Sequence, residues 1–226
     1  MRWLSTKQLG MRQGILFALV LLYQPVTLTA AEDTFSPANT ALFASNQMKD
    51  VKTGDKLVYD FVQSGTMAEA VKDTITLNLA SKDGKPEAVV EYFTGERNRW
   101  VPPFQAPTGN PVLMLFLQSD INEMERVNGG QWRHYQKYIK LALEKDTPLA
   151  DATFEYAGSV RQGKKIVIQP YVDDPEKGRF NNQAYTRKQY EFILSDAVPG
   201  GIYKISADVP GESPDKPLAH KELLLH

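Results

Sequence analysis

Asn110-Pro111-Val112-Leu113-Met114-Leu115-Phe116-Leu117 opens the stretch whose reading decides the fold. Asparagine is a favoured helix cap, and proline suits the first helical position because its missing N–H has no partner there anyway. Leu113, Phe116, Leu117, Ile121, Met124 and Val127 then recur at helical spacing until Gly129-Gly130 stops the run. The first two turns are apolar nearly all round, which predicts a helix end enclosed on every side. A second helix is expected over residues 131–145. Trp132, Tyr135, Ile139, Ala142 and Leu143 occupy one of its faces, and Arg133, Lys137, Lys140 and Glu144 the other. The two-glycine link makes a tight corner between them. So apolar a pair must be covered.

The flanking segments supply the cover. Leu57, Tyr59 and Phe61 alternate with Val58, Asp60 and Val62, and Ile75, Leu77 and Leu79 alternate with Thr74, Thr76 and Asn78. Lys82-Asp83-Gly84-Lys85-Pro86 is a hairpin signal, because Asp-Gly supplies the left-handed backbone that tight turns need. Residues 88–93 follow as a strand. A short return strand is expected over residues 97–101, before Pro102 and Pro103 interrupt any ladder. Downstream, residues 152–160 and 166–171 read as a hairpin turning across residues 161–164. A polar loop follows to about residue 183, then strands over residues 190–194 and 202–209. A short helix around residues 38–49, capped by Asn39 or Thr40, precedes the first strand. Residues 211–226 read as a flexible, Pro-rich tail.

One-sided strands have to bury their apolar face. The expected fold is therefore α+β: a single domain over residues 32–210, in which a curved, half-barrel-like antiparallel sheet wraps a central helical pair, with a short N-terminal helix ahead of it.

The first 31 residues read as a secretory signal peptide. Arg2, Lys7 and Arg12 give a positive start, residues 14–23 an apolar core, and Thr29-Ala30-Ala31 a small-residue cleavage site. The apolar run is about half the roughly 20 residues a spanning helix needs, and Gln24-Pro25 interrupts it. Cleavage, and no stable transmembrane anchor, is the expectation. Removing this leader leaves 195 residues with 23 Lys+Arg against 27 Asp+Glu, a formal charge near −4. That balance provides no basic field for nucleic acid. The chain has no Cys, so disulfides, thiol nucleophiles and an acylated lipoprotein anchor are excluded. It also lacks an Asn-x-Ser/Thr glycosylation acceptor, which favours the periplasm over a eukaryotic secretory route.

Catalytic signatures are missing. No G-x-S-x-G elbow, P-loop or G-x-G-x-x-G is present. Three histidines, His134, His220 and His226, are too few and too scattered for a zinc site. No cofactor is expected and no catalytic residue is assigned. His134 reads most simply as a solvated helix-surface side chain, and Asp173, Asp174 and Glu176 as an acidic turn.

Two constellations stand out as binding material. In the first, Arg97, Arg99, Trp100 and Phe104 combine guanidinium groups and aromatics on a stiff loop. Arg can hold a carboxylate or phosphate bidentately and stack on Trp; a hairpin with surface ion pairs explains the same residues. Leu113, Phe116 and Leu117 would be the matching apolar wall, or simply core. In the second, Gly130, Arg133, His134 and Lys137 sit where free helix amides attract an anion, although an ordinary amphipathic helix start accounts for them as well.

The order of elements over residues 55–209, behind a leader, resembles the periplasmic lipoprotein-carrier type of half-barrel protein. The resemblance rests on architecture and on no shared motif. It implies a concave apolar surface beneath the helices that holds acyl chains, and it transfers no contact residue. Shared architecture does not establish function. The expected function is an exported, non-enzymatic protein that binds a lipid or other apolar or amphipathic ligand, or an extended partner segment, in a sheet–helix groove. Alternatives are an envelope assembly factor working through protein contacts and a hydrolase acting on envelope material.

Overall fold

Leu57, Tyr59 and Phe61 point to one side of the first strand, β1 (Lys56–Ser64), and are buried there. The computed structural model describes residues 35–145, 147–213 and 215–226; the expected signal peptide lies outside them. β1 pairs antiparallel with β2 (Val71–Lys82), which puts Leu57 opposite Leu77 and Tyr59 opposite Ile75. The Asp-Gly turn forms as expected. Asp83 and Gly84 both have positive φ, 51° and 74°, and lead into β3 (Lys85–Tyr92).

The expected return strand over residues 97–101 does not form. Gly95–Arg97 is a 3-10 turn, Arg99 alone bridges back to Tyr92, and the ladder resumes only at β4 (Phe104–Gln105). The physical reason is Asp73. Its buried carboxylate accepts Thr94 N at 2.9 Å, Thr94 Oγ1 at 2.8 Å and Arg97 Nε at 2.8 Å, which coils the loop around it.

Helix α1 (Pro37–Asn39), continued by a π turn (Thr40–Ala44), is shorter than expected. Ser36 caps it, accepting Asn39 N at 3.1 Å, in place of Asn39 or Thr40. Gln47 ends it by donating Nε2 to the carbonyls of Ala41 and Leu42, each at 3.2 Å. Helix α2 (Pro111–Asn128) starts as its sequence specifies: Asn110 Oδ1 accepts Val112 N at 3.1 Å. Asn110 Nδ2 also donates to Tyr59 Oη and to Gly200 O, both at 2.8 Å, tying the helix start to β1. Gly200 has φ 74°, and a Cβ there would stand 2.7 Å from Asn110 Nδ2, so the contact requires glycine. Gly129 at φ 73° ends α2, and α3 (Trp132–Glu144) follows.

The next hairpin, β5 (Ala150–Tyr156) and β6 (Ser159–Ile168), turns at Ala157-Gly158 and not across residues 161–164. Gly163 instead sits inside β6 opposite Ala152, where a Cβ would lie 2.5 Å from Leu194 O and 3.0 Å from the Phe154 ring. The missing side chain lets Phe154 lie flat and stack on Tyr203, centroid to centroid at 3.9 Å. β7 (Gln189–Leu194) and β8 (Ile202–Val209) form as expected.

The tail is the main correction. Residues Ala219–Leu225 form β9, which lies between β1 and β8 in the middle of the sheet. Ala219, Lys221, Leu223 and Leu225 are buried in strict alternation, with Leu223 opposite both Phe61 and Ile205. A strand flanked on both sides has its backbone fully paired, which a flexible tail cannot be. The result is α+β, with one open nine-stranded antiparallel sheet in the order β4-β3-β2-β1-β9-β8-β7-β6-β5. α2 lies against β8, α3 against β6, and α1 against α3. The compact unit therefore runs through residue 226, past the expected boundary at 210.

Candidate functional site

Helix α3 separates its residues by chemistry: Tyr135, Ile139 and Leu143 are buried while Arg133, Lys137 and Lys140 stand on other faces. Packing α3 beside α2 and α1 leaves a groove of about 630 Å³ between them. Leu117, Ile121, Ile139 and Leu143 make its floor. Phe35, Phe43 and Met114 stand at its mouth, 60%, 42% and 50% exposed. Soluble proteins seldom gather large apolar side chains at one exposed place without a use for them. Among the described residues, the charged ones lining the groove are Arg133, Lys137 and Lys140, with no carboxylate. Arg133 is held by stacking on Trp132 at 4.4 Å, and Lys140 has Glu144 at 3.5 Å just outside the rim.

Beneath α2 lies a second, enclosed feature. Asp120 is fully buried; its Oδ1 accepts Lys188 Nζ at 2.7 Å and Lys221 Nζ at 3.2 Å, and its Oδ2 accepts Tyr190 Oη at 2.6 Å. Glu123 pairs with the other side of Lys221. Burial opposes the Asp120 charge, but the two ammonium groups and the hydrogen bonds outweigh it and hold the carboxyl well below its ordinary range. Burial likewise pulls the Lys188 ammonium down, with Asp120 opposing. Tyr190 is pushed well up, by burial first and then by the Asp120 anion, so it stays a neutral donor. Balanced charges and filled hydrogen bonds make this a fastening between α2 and the sheet, closed to a ligand of any size.

The sequence-derived candidates do not converge. Arg97 is committed to Asp73 at 2.8 Å, Trp100 is 83% exposed, and Phe104 sits half-buried in β4. Leu113 and Phe116 pack into the core, and of the apolar trio only Leu117 lines the groove. The anion set also splits. Arg133 and Lys137 line the groove, whereas Gly130 and His134 face a separate recess of about 370 Å³. The first amide of α3 already has an anion: Trp132 N donates to Glu125 Oε1 at 3.1 Å. His134 is not a solvated side chain, since Nε2 meets the buried Asp174 Oδ2 at 2.6 Å. Such a pair suits a general base, yet among the described residues no Ser or Thr lines that recess.

Sequence reasoning missed Asp120, Lys188, Lys221 and Tyr190. The signal was available: Asp120 falls on the same helical face as Leu113, Phe116, Leu117 and Met124, and Lys221 shares the parity of Leu223 and Leu225. A charge in register with an apolar stripe implies a buried partner.

His220, expected in a tail, lies in β9 opposite Asp208, with Nδ1 2.6 Å from Oδ1. The hydrogen bond to that carboxylate raises its pKa above the usual histidine value, with burial opposing. The charged pair therefore adds stability below about pH 6.5, the unfolded value, and this is lost as pH rises through the higher folded value. In Asp208→Asn the His220 resonance should titrate at lower pH by NMR; an unchanged midpoint would show that the carboxylate is not the cause.

Among the described residues no helix is long and apolar enough to cross a membrane. No protein-family model matches the chain. No curated protein matches it either.

Proposed function

We propose that this chain is an exported, periplasmic, non-enzymatic protein that binds an anionic amphiphile, with an acyl chain in the groove between α1, α2 and α3. The observation that carries the reading is the groove itself: an apolar floor, large apolar side chains at the mouth, and, among the described residues, three cations lining it without a carboxylate. The site thus moves from the inner face of the helices, where Leu113 and Phe116 fill the core, to their outer face. We read the sheet as the half-barrel of the sequence analysis; support comes from Lys188, Tyr190 and Lys221 all reaching Asp120 on α2 from one side. Export rests on the leader sequence alone.

The energetics suit a carrier. Burying about eight methylenes contributes roughly 6 kcal/mol, and rim charges add about 1 kcal/mol more each at best, which sums to micromolar binding. Such a complex forms and releases without an energy source. Calorimetric titration with dodecyl phosphate should show one site. Lys137→Ala with Lys140→Ala should weaken it about tenfold, while a nonionic chain of the same length binds both proteins alike. Absence of binding by either amphiphile would overturn the reading.

A further inference from the structure

The apolar residues at the mouth of the groove raise a question that ligand binding alone leaves open. A bound acyl chain would lie on the floor residues, yet Phe35, Phe43 and Met114 expose much of their surface outward. Around them the groove presents Arg133, Lys137 and Lys140, and among the described residues the carboxylate of Glu144 pairs with Lys140 alone of the three. Exposed aromatics and methionine ringed by cations is the chemistry of an interfacial docking face. The apolar tips enter the boundary between headgroups and acyl chains, and the ammonium and guanidinium groups take lipid phosphates.

We propose that this face docks on an anionic lipid surface, so that an amphiphile passes from the bilayer into the groove without crossing water. The proposal rests on the groove reading above, and it commits to a membrane rather than to a dissolved ligand or a protein as the partner. Charge complementarity carries that choice: the formal charge of the chain is negative overall, so a local set of three cations is a departure from its surroundings. A bilayer also gives the protruding Phe35 and Phe43 a place, since their rings can enter the boundary between headgroups and acyl chains while the cations stay at the phosphates. Docking is weak by construction, since each cation near an anionic surface contributes about fivefold in partitioning, and a carrier has to leave again.

The test uses vesicles of phosphatidylcholine with and without phosphatidylglycerol, co-sedimented with the purified chain at low and at high salt. Wild type should bind the phosphatidylglycerol vesicles at low salt and be largely released at high salt. Lys137→Glu with Lys140→Glu should bind at least about 30-fold more weakly. Phe35→Ser with Phe43→Ser should lose about tenfold. All substituted positions are on the surface, and thermal melts coincident with wild type would confirm intact folding. Equal binding to both vesicle types, or no loss in the Lys variant, would overturn docking through this face. Wild type that takes up dodecyl phosphate but ignores the vesicles would overturn docking and leave the groove reading standing. Failure to take up dodecyl phosphate would remove both.

Discussion

Asp120→Ala should lower the stability of the protein by about 3–5 kcal/mol and its melting temperature by about 10 °C. Among the described residues Asp120 is the carboxylate that bonds both Lys188 and Tyr190, and its removal leaves Lys188, 2% exposed, with only the weaker, unbonded pull of Glu123. A buried ammonium without a partner must either drag water in or lose its proton, and both are costly. Replacing the set together (Asp120→Leu, Lys188→Met, Lys221→Met) should recover much of the loss, because desolvating the ions consumes most of what their attraction returns. Paired chemical denaturation curves decide this, and an Asp120→Ala variant within 1 kcal/mol of wild type would show that the cluster is wet. The pH dependence has a definite sign. A carboxyl held below its ordinary range contributes fully above about pH 4 and loses that contribution as pH falls toward its folded value.

Deleting residues 211–226 should prevent folding outright. These residues include β9, whose loss would strip β1 and β8 of their shared partner and would unpair Leu223 from Phe61 and Ile205. Two bare, apolar-faced edges would be left where the sheet is now continuous, and such edges associate with one another. Size exclusion should show aggregate, with loss of the cooperative melt. Leu223→Ala in the full chain should cost about 2–5 kcal/mol, as for other fully buried leucines. A truncated chain that stays monomeric and melts cooperatively would mean that the two halves of the sheet stand alone.

Local chemistry made much of this architecture readable in advance. Asn110-Pro111, Gly129 and Asp83-Gly84 each specify one backbone geometry, and each forms as specified. Periodicity placed α2, α3 and β1, β2, β7 and β8 for the same reason. The errors arose where distant residues decide. Ala157 adopts a left-handed φ that its side chain does not favour, while Gly163, a more obvious turn residue, serves as bare floor for the Phe154 ring. β9 follows a Pro-rich stretch and carries His220, Lys221 and Glu222, so its polarity hid a strand whose charges are answered by Asp208, Asp120 and Lys204. The groove was half visible: Arg133, Lys137 and Leu117 could be named from the sequence, but its mouth joins Met114 of α2 to Phe35 and Phe43 on either side of α1, a segment no periodicity tied to the other helices.

The placement of β9 also dictates an order of events. Leu223 meets Phe61 across more than 160 residues of intervening chain, so a ribosome delivers β1 long before the strand that will flank it. Until then β1 to β4 make a ribbon with one raw margin. β9 works as a keystone, because the β1–β4 side and the β5–β8 side become one continuous sheet only once it is in place.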